Sequence, residues 1–110
     1  MLDINKDTFQ SEVLDAEGLV VVDYWRESCP DCVALIPELE DFVKRNSGRA
    51  KFCKVDVSTN KDLARKQGLA SIPSIIFYRN GKKEHVFTGD FVEKIRMEGV
   101  QNKLDELLAV

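Results

Sequence analysis

Hydrophobic and polar positions along the chain switch several times between strand-like runs and helix-like stripes. Leu19–Trp25 is almost continuously apolar and rich in valine, which predicts a strand buried on both faces. Pro30–Arg45 starts with a proline and carries apolar residues at helical spacing, so it predicts a helix, kinked at its internal Pro37. Lys51–Val57 predicts a further buried strand.

Caps and turn residues mark the remaining elements. Asn80-Gly81 is a strong hairpin signal, so the two strands that flank it should be antiparallel neighbours. These strands are Ile75–Arg79 and Lys82–Thr88, and a short edge strand is predicted at Leu2–Ile4. A first helix should be capped by Asn5, carry apolar Phe9, Val13 and Leu14, and end before Gly18. Two more helices are predicted, one at Lys61–Gln67 and one that starts between Asp90 and Met97 and ends near Leu108. This order predicts one α/β domain over residues 1–110, with a central mixed five-stranded sheet and helices on both faces.

Composition and charge narrow the classes of function. A net charge of −3 offers no basic face for nucleic acid, and no apolar run approaches the ~20 residues that span a bilayer. The first residues lack a basic-then-apolar signal pattern, so a cytoplasmic location without membrane contact is expected. The chain has three cysteines, and an odd number does not fit a secreted disulfide scaffold.

Two of these cysteines carry the candidate chemistry. Cys29 and Cys32 lie where the predicted central strand gives way to the long helix, so both sulfurs should meet the N–H groups of a helix N-terminus. Such a position favours the reactive thiolate. As a purely structural disulfide the pair would contribute only about 2 kcal/mol. A structural zinc site requires four ligands, and apart from Cys29 and Cys32 the only soft ligands in the chain are Cys53 and His85. We therefore expect no metal.

Further residues accompany this pair at fixed intervals. They are Asp23 two residues before Trp25, Pro37 in the long helix, Lys54 in the next strand, Pro73 in a Ser-Ile-Pro-Ser segment, and Gly89 after the hairpin. Together with the segment WRESCPDC, this constellation resembles thioredoxin over essentially the whole chain. The resemblance implies the thioredoxin fold and a protein disulfide reductase that needs no bound cofactor.

The resemblance to thioredoxin also implies a role for each of these residues. Cys29 should attack a disulfide of a protein substrate, and Cys32 should resolve the resulting mixed disulfide. Asp23, inside an apolar strand, should be buried and accept the proton of Cys32, with Lys54 facing it. A flavin-containing thioredoxin reductase is the implied partner that returns the disulfide to a dithiol, and the protein is expected to be a monomer.

Substrates should dock on a flat apolar rim around Cys29. A cis peptide bond at Pro73 would present the backbone of Ile72 to an extended peptide, which would pair as an added strand. The remaining rim residues are predicted to be Ser28, Pro30, Asp31, Val57, Thr88 and Gly89, with Trp25 packed beside the site.

The chain departs from the common thioredoxin pattern at three places. Ser28 replaces a tryptophan, Pro-Asp replaces Gly-Pro between the cysteines, and the segment from Asp90 to the last helix is expected to be about five residues long. These features resemble the thioredoxins of anaerobic bacteria. At about 6 Å, repulsion between Asp31 and the Cys29 thiolate is about 0.7–1.4 kcal/mol, which raises the thiol pKa by about 0.5–1. We therefore hypothesise that Asp31 favours a reductant over an oxidant.

Two alternatives stay open at this stage. The same fold with the same cysteine pair can serve as a thiol oxidant or isomerase, which a redox equilibrium with glutathione distinguishes from a reductase. The fold can also serve as a non-catalytic binding module, whose partner binding would survive the loss of both cysteines.

Overall fold

The computed structural model describes residues 1–90 and 92–109, and their strands form one sheet. The strands are β1 (Leu2–Ile4), β2 (Leu19–Trp25), β3 (Lys51–Asp56), β4 (Ser74–Arg79) and β5 (Lys82–Thr88). Within the described residues the sheet has five strands in the order β1-β3-β2-β4-β5. β1, β3 and β2 run parallel, whereas β4 is antiparallel to β2 and β5. The predicted mixed sheet is confirmed, with β2 at its centre.

The α-helices are α1 (Pro30–Arg45), α2 (Lys61–Lys66) and α3 (Met97–Leu108). α1 has the predicted bounds, because a proline in the first turn and an unbroken apolar stripe define it well. α3 begins at Met97, so the segment that precedes it covers residues 90–96 and is longer than the predicted five or so. None of the helices in the described part of the chain is long and apolar enough to cross a membrane.

The predicted first helix capped by Asn5 is present, but it is irregular. The Oδ1 atom of Asn5 accepts hydrogen bonds from the backbone N–H groups of Asp7 and Thr8, at 2.8 and 3.1 Å, and its carbonyl accepts the N–H of Phe9 at 2.9 Å, as in a helix N-cap. The helical residues that follow, Gln10–Leu14, form a single π-helical turn. Apolar side chains four residues apart fall on one face of an α-helix or a π-turn, so the hydrophobic pattern alone does not distinguish them.

The hydrophobic core lies on both faces of the sheet, because side chains alternate along β2. Val20, Val22 and Tyr24 pack on one face, towards the π-turn and α2. Leu19 and Val21 pack on the other face, towards α1 and α3. The predicted helices on both faces are therefore confirmed, and the same alternation places Asp23 and Trp25 on the α1 side.

Candidate redox site

Cys29 and Cys32 form a disulfide at the N-terminus of α1, with their Cα atoms 5.2 Å apart. Cys29 is the N-cap residue, and its extended backbone ends the loop that leaves β2. The backbone N–H of Cys32 donates to the Cys29 sulfur at 3.2 Å. A sulfur in this position receives an N–H that has no partner within the helix, so a negative charge on Cys29 is stabilised.

The two sulfurs differ in accessibility. Cys29 is half-buried, whereas Cys32 is 1% exposed and belongs to the buried side of α1. Cys29 opens into a groove of about 440 Å³. The other residues that line this groove are Arg26, Ser28, Pro30, Asp31, Ser71, Ile72 and Asp90. Cys29 is thus the sulfur that a second molecule can reach, and Cys32 reacts from within the protein.

Asp23 is buried between β2 and α1, beside Ile36 and Glu40 of the helix. Its residue is 4% exposed, and its Oδ1 atom has no hydrogen-bond partner among the described residues. Burial raises the pKa of Asp23 from 3.8 to about 7, although the charge of Lys54 acts in the opposite direction. A cleft of about 300 Å³ opens beside the carboxyl group and is lined by Glu40 and Lys44 of α1 as well as Lys54.

Lys54 lies opposite Asp23 in the register of β2 and β3, as the sequence predicted. Its ammonium group is 5.7 Å from the centre of the Trp25 ring and 3.6 Å from the Oδ1 atom of Asp3. Lys54 therefore has a carboxylate partner in β1 that no sequence pattern indicates. The parallel pairing of Asp3 with Lys54 in β1 and β3 explains this contact.

The Ile72-Pro73 peptide bond is cis, as predicted, and Ile72 lines the groove that contains Cys29. The carbonyl of Pro73 accepts the N–H of Gly89 at 2.9 Å, and the Ser71 hydroxyl donates to the Gly89 carbonyl at 3.1 Å. These hydrogen bonds fasten the loop before β4 to the end of β5. Ile72 is thereby held in the groove that contains Cys29.

The family model described as Thioredoxin matches residues 1–103. The chain belongs to the thioredoxin family. Among curated relatives, it is 39% identical to a thioredoxin of Peptoclostridium acidaminophilum over 90 residues, which cover 82% of each chain. It is 33% identical to a thioredoxin of Acetoanaerobium sticklandii over 103 residues, which cover 94% of this chain and 98% of the other. As a thioredoxin, the chain is a thiol–disulfide oxidoreductase with a redox-type cysteine pair.

The structure brings only part of the predicted thioredoxin docking rim together. Ser28, Pro30, Asp31 and Ile72 line the groove around Cys29. Val57 is half-buried and packs against the core on the α2 side of the sheet, and its N–H donates to the Trp25 carbonyl at 2.8 Å. The groove also contains charged Arg26 and Asp90, so it is less apolar than the sequence predicted.

Pro73, Thr88 and Gly89 lie outside that groove. Pro73 and Gly89 are buried, and they line an adjoining cleft of about 210 Å³ together with Asp31 and Lys94. A Cβ atom on Gly89 would lie 3.3 Å from the Cγ1 atom of Ile95 and 3.4 Å from the Cγ atom of Pro73. Close packing of neighbouring segments thus explains a glycine here. Thr88 is exposed, with its hydroxyl 3.3 Å from that of Ser74.

Asp31 is not the isolated charge that its sequence position had suggested. Its Oδ2 atom is 2.8 Å from the ammonium group of Lys94, in the segment between β5 and α3. The two residues are 63 positions apart, and no sequence motif indicates that this segment returns to the N-terminus of α1. The repulsion estimated for Asp31 alone therefore overstates its effect on Cys29, because a cation lies beside it.

Cys53 and His85, the two further side chains considered as zinc ligands, lie apart from the cysteine pair. Cys53 is fully buried in β3, and burial raises the pKa of its thiol to about 11, although the charge of Lys51 lowers it. His85 lies in β5 with its ring 4.6 Å from that of Phe87. Because β2 and β4 separate β3 from β5, Cys53 and His85 do not meet.

Proposed function

We propose that this thioredoxin reduces protein disulfides and cycles between a dithiol and the Cys29–Cys32 disulfide. The observation that carries the proposal is the asymmetry of the pair, since a half-buried Cys29 opens into a groove while its partner sulfur is buried within bonding reach. An inert structural disulfide has no need of one accessible sulfur. A reductase needs one sulfur that attacks and a second that displaces the product.

In the first step, Cys29 releases its proton to solvent, and the resulting thiolate attacks one sulfur of the substrate disulfide. The substrate S–S bond breaks, one substrate sulfur leaves as a thiolate that takes up a proton, and a mixed disulfide joins Cys29 to the other. In the second step, Cys32 gives its proton to Asp23 and attacks the Cys29 sulfur. The second substrate thiolate leaves, and it takes up a proton that Asp23 returns. The substrate gains two electrons and two protons, and the cysteine pair loses them.

Three observations support Asp23 as the base in the second step. It lies on the α1 side of β2, as Cys32 lies on the buried side of α1. A pKa of about 7, which its burial produces against the charge of Lys54, suits proton transfer near neutral pH. The cleft beside Asp23 gives its proton a route to solvent, past Lys54 and Glu40.

The substrate is an extended polypeptide segment in the groove beside Cys29. Ile72 lies ahead of β4, and an extended segment can pair there as an added strand. Pro30 and Ser28 provide the opposite side, and Pro73 and Gly89 position Ile72 through their hydrogen bond.

A flavin-dependent thioredoxin reductase regenerates the dithiol, and supplies the two electrons through its own dithiol. This part of the proposal rests on membership of the thioredoxin family. The proposal further includes a single domain over residues 1–110, a monomeric state and a location in the cytoplasm.

Reduction of insulin disulfides tests the proposal, first with dithiothreitol and then with NADPH and a thioredoxin reductase as the electron source. We expect Cys29→Ser and Cys32→Ser each to abolish catalytic turnover, while the control Cys53→Ala retains it. Turnover by Cys29→Ser at the wild-type rate would overturn the proposal. If the protein reduces insulin with dithiothreitol but with none of the thioredoxin reductases tested, only the proposed reductase partner would be rejected.

A further inference from the structure

Lys94 joins the active-site helix to the segment between β5 and α3. Its ammonium group contacts the Oδ2 atom of Asp31 at 2.8 Å and donates to the Asp90 carbonyl at 3.2 Å. Asp31 is in the first turn of α1, between the two active cysteines. Lys94 thus links a residue beside Cys29 to a part of the fold that is distant in sequence.

The segment that carries Lys94 is itself held in place. The Oδ1 atom of Asp90 accepts the backbone N–H groups of Val92 and Glu93 at 2.8 and 2.7 Å, which closes a turn. On the other side of Lys94, Ile95 packs within van der Waals reach of Gly89. Gly89 in turn is hydrogen-bonded to Pro73. These contacts hold the backbone on both sides of Lys94, and the ammonium group itself is held by Asp31 and the Asp90 carbonyl.

The alternative position for the Asp31 carboxylate is at the helix N-terminus. The free N–H groups there attract any nearby anion, and one of them, on Cys32, donates to the Cys29 sulfur. A carboxylate that turned towards these groups would compete with the Cys29 thiolate for them. In the structure, the carboxylate pairs with Lys94, which lies in the cleft on the Gly89 side, although Asp31 also borders the groove around Cys29.

We propose that Lys94 is a positioning residue that holds the Asp31 carboxylate on the Gly89 side and offsets its charge, so that Cys29 forms its thiolate more readily. This inference rests on the proposed function, since it takes Cys29 as the attacking sulfur. An exposed ion pair contributes little to stability, so the effect of Lys94 should be on reactivity and not on folding. An unpaired carboxylate about 6 Å from Cys29 would lower the thiolate fraction roughly 3- to 10-fold, and pairing with Lys94 offsets a part of this loss.

The test is the rate of iodoacetamide alkylation of the reduced full chain as a function of pH, with the modified cysteine identified by peptide mapping. We expect Lys94→Met to slow alkylation of Cys29 at neutral pH roughly 2- to 3-fold and to move the pH profile upward. In an Asp31→Asn background the same change should have a clearly smaller effect. The control Arg45→Met removes a cation and its 2.9 Å ion pair with Asp41 at the other end of α1, and it should leave the profile unchanged.

Two results would overturn the inference. One is a Lys94→Met profile that coincides with that of Arg45→Met. The other is an effect of Lys94→Met that is equally large with Asn at position 31, because Lys94 would then act as a remote charge and not through Asp31. Alkylation of wild type at Cys32 in preference to Cys29 is a separate outcome, which would reject the assignment of the attacking sulfur in the proposed function and the inference with it.

Discussion

The buried carboxyl group of Asp23 makes the stability of this protein depend on pH in an unusual direction. Asp23→Asn keeps the shape of the side chain and removes its ability to ionise. In the folded protein, burial raises the pKa of Asp23 from 3.8 to about 7, against the charge of Lys54. The folded state therefore binds the Asp23 proton more tightly than the unfolded chain does.

The sign and size of the effect follow from this difference. Between the two pKa values the folded state holds a proton that the unfolded state has lost, so stability falls as the pH rises through this window. Above pH 7 the full cost of burying the ionised carboxylate applies, about 4 kcal/mol at 1.36 kcal/mol per pKa unit. Below the unfolded value of 3.8 both states are protonated, and Asp23 costs nothing.

Urea unfolding of the oxidised protein measures the effect. Between about pH 5 and about pH 8 we expect Asp23 to lower the free energy of unfolding by about 2.5 kcal/mol in wild type, and this component to vanish in Asp23→Asn. The exposed carboxylate of Asp7 provides a control, because Asp7→Asn should retain the wild-type pH dependence. Equal losses of stability in wild type and Asp23→Asn over this range would refute the reasoning.

Three further predictions concern neighbouring groups. Lys54→Met should move the titration of Asp23 to higher pH, because the charge of Lys54 lowers the pKa of Asp23. The pH dependence of the free energy of unfolding measures this shift, and an unchanged pH midpoint would contradict it. Cys53 should resist Ellman's reagent in the native reduced protein and react only on unfolding, because burial raises its pKa to about 11; rapid native reaction would contradict this. Gly89→Ala should lower the free energy of unfolding by about 1–3 kcal/mol, since the added Cβ atom would crowd Ile95. An unchanged midpoint of urea unfolding would contradict this prediction.

The fold could largely be predicted from the sequence because local signals agree with the tertiary arrangement. The bounds of α1 follow from its proline start and continuous apolar stripe. Asn80 and Gly81 both adopt positive φ values, 53° and 78°, as the predicted hairpin requires. The first helix was predicted but the π form of Gln10–Leu14 was not, because its apolar spacing also fits an α-helix.

The site was predictable only where its residues are close in sequence or match the family pattern. The cysteine pair and Asp23 meet that condition. The contacts of Asp31 with Lys94 and of Lys54 with Asp3 depend on how distant segments are packed, and no local pattern encodes them. The burial of Gly89 likewise follows from the path of the segment after β5.

Trapping of a substrate by Cys32→Ser tests the central claim most directly. Without the resolving thiol, the mixed disulfide formed by Cys29 should persist, so incubation with insulin should give a stable covalent adduct whose mass-spectrometric map joins insulin to Cys29. The double variant Cys29→Ser/Cys32→Ser should give none. An adduct mapped to Cys53, or no adduct while wild type still reduces insulin, would contradict the assignment of Cys29 as the attacking sulfur.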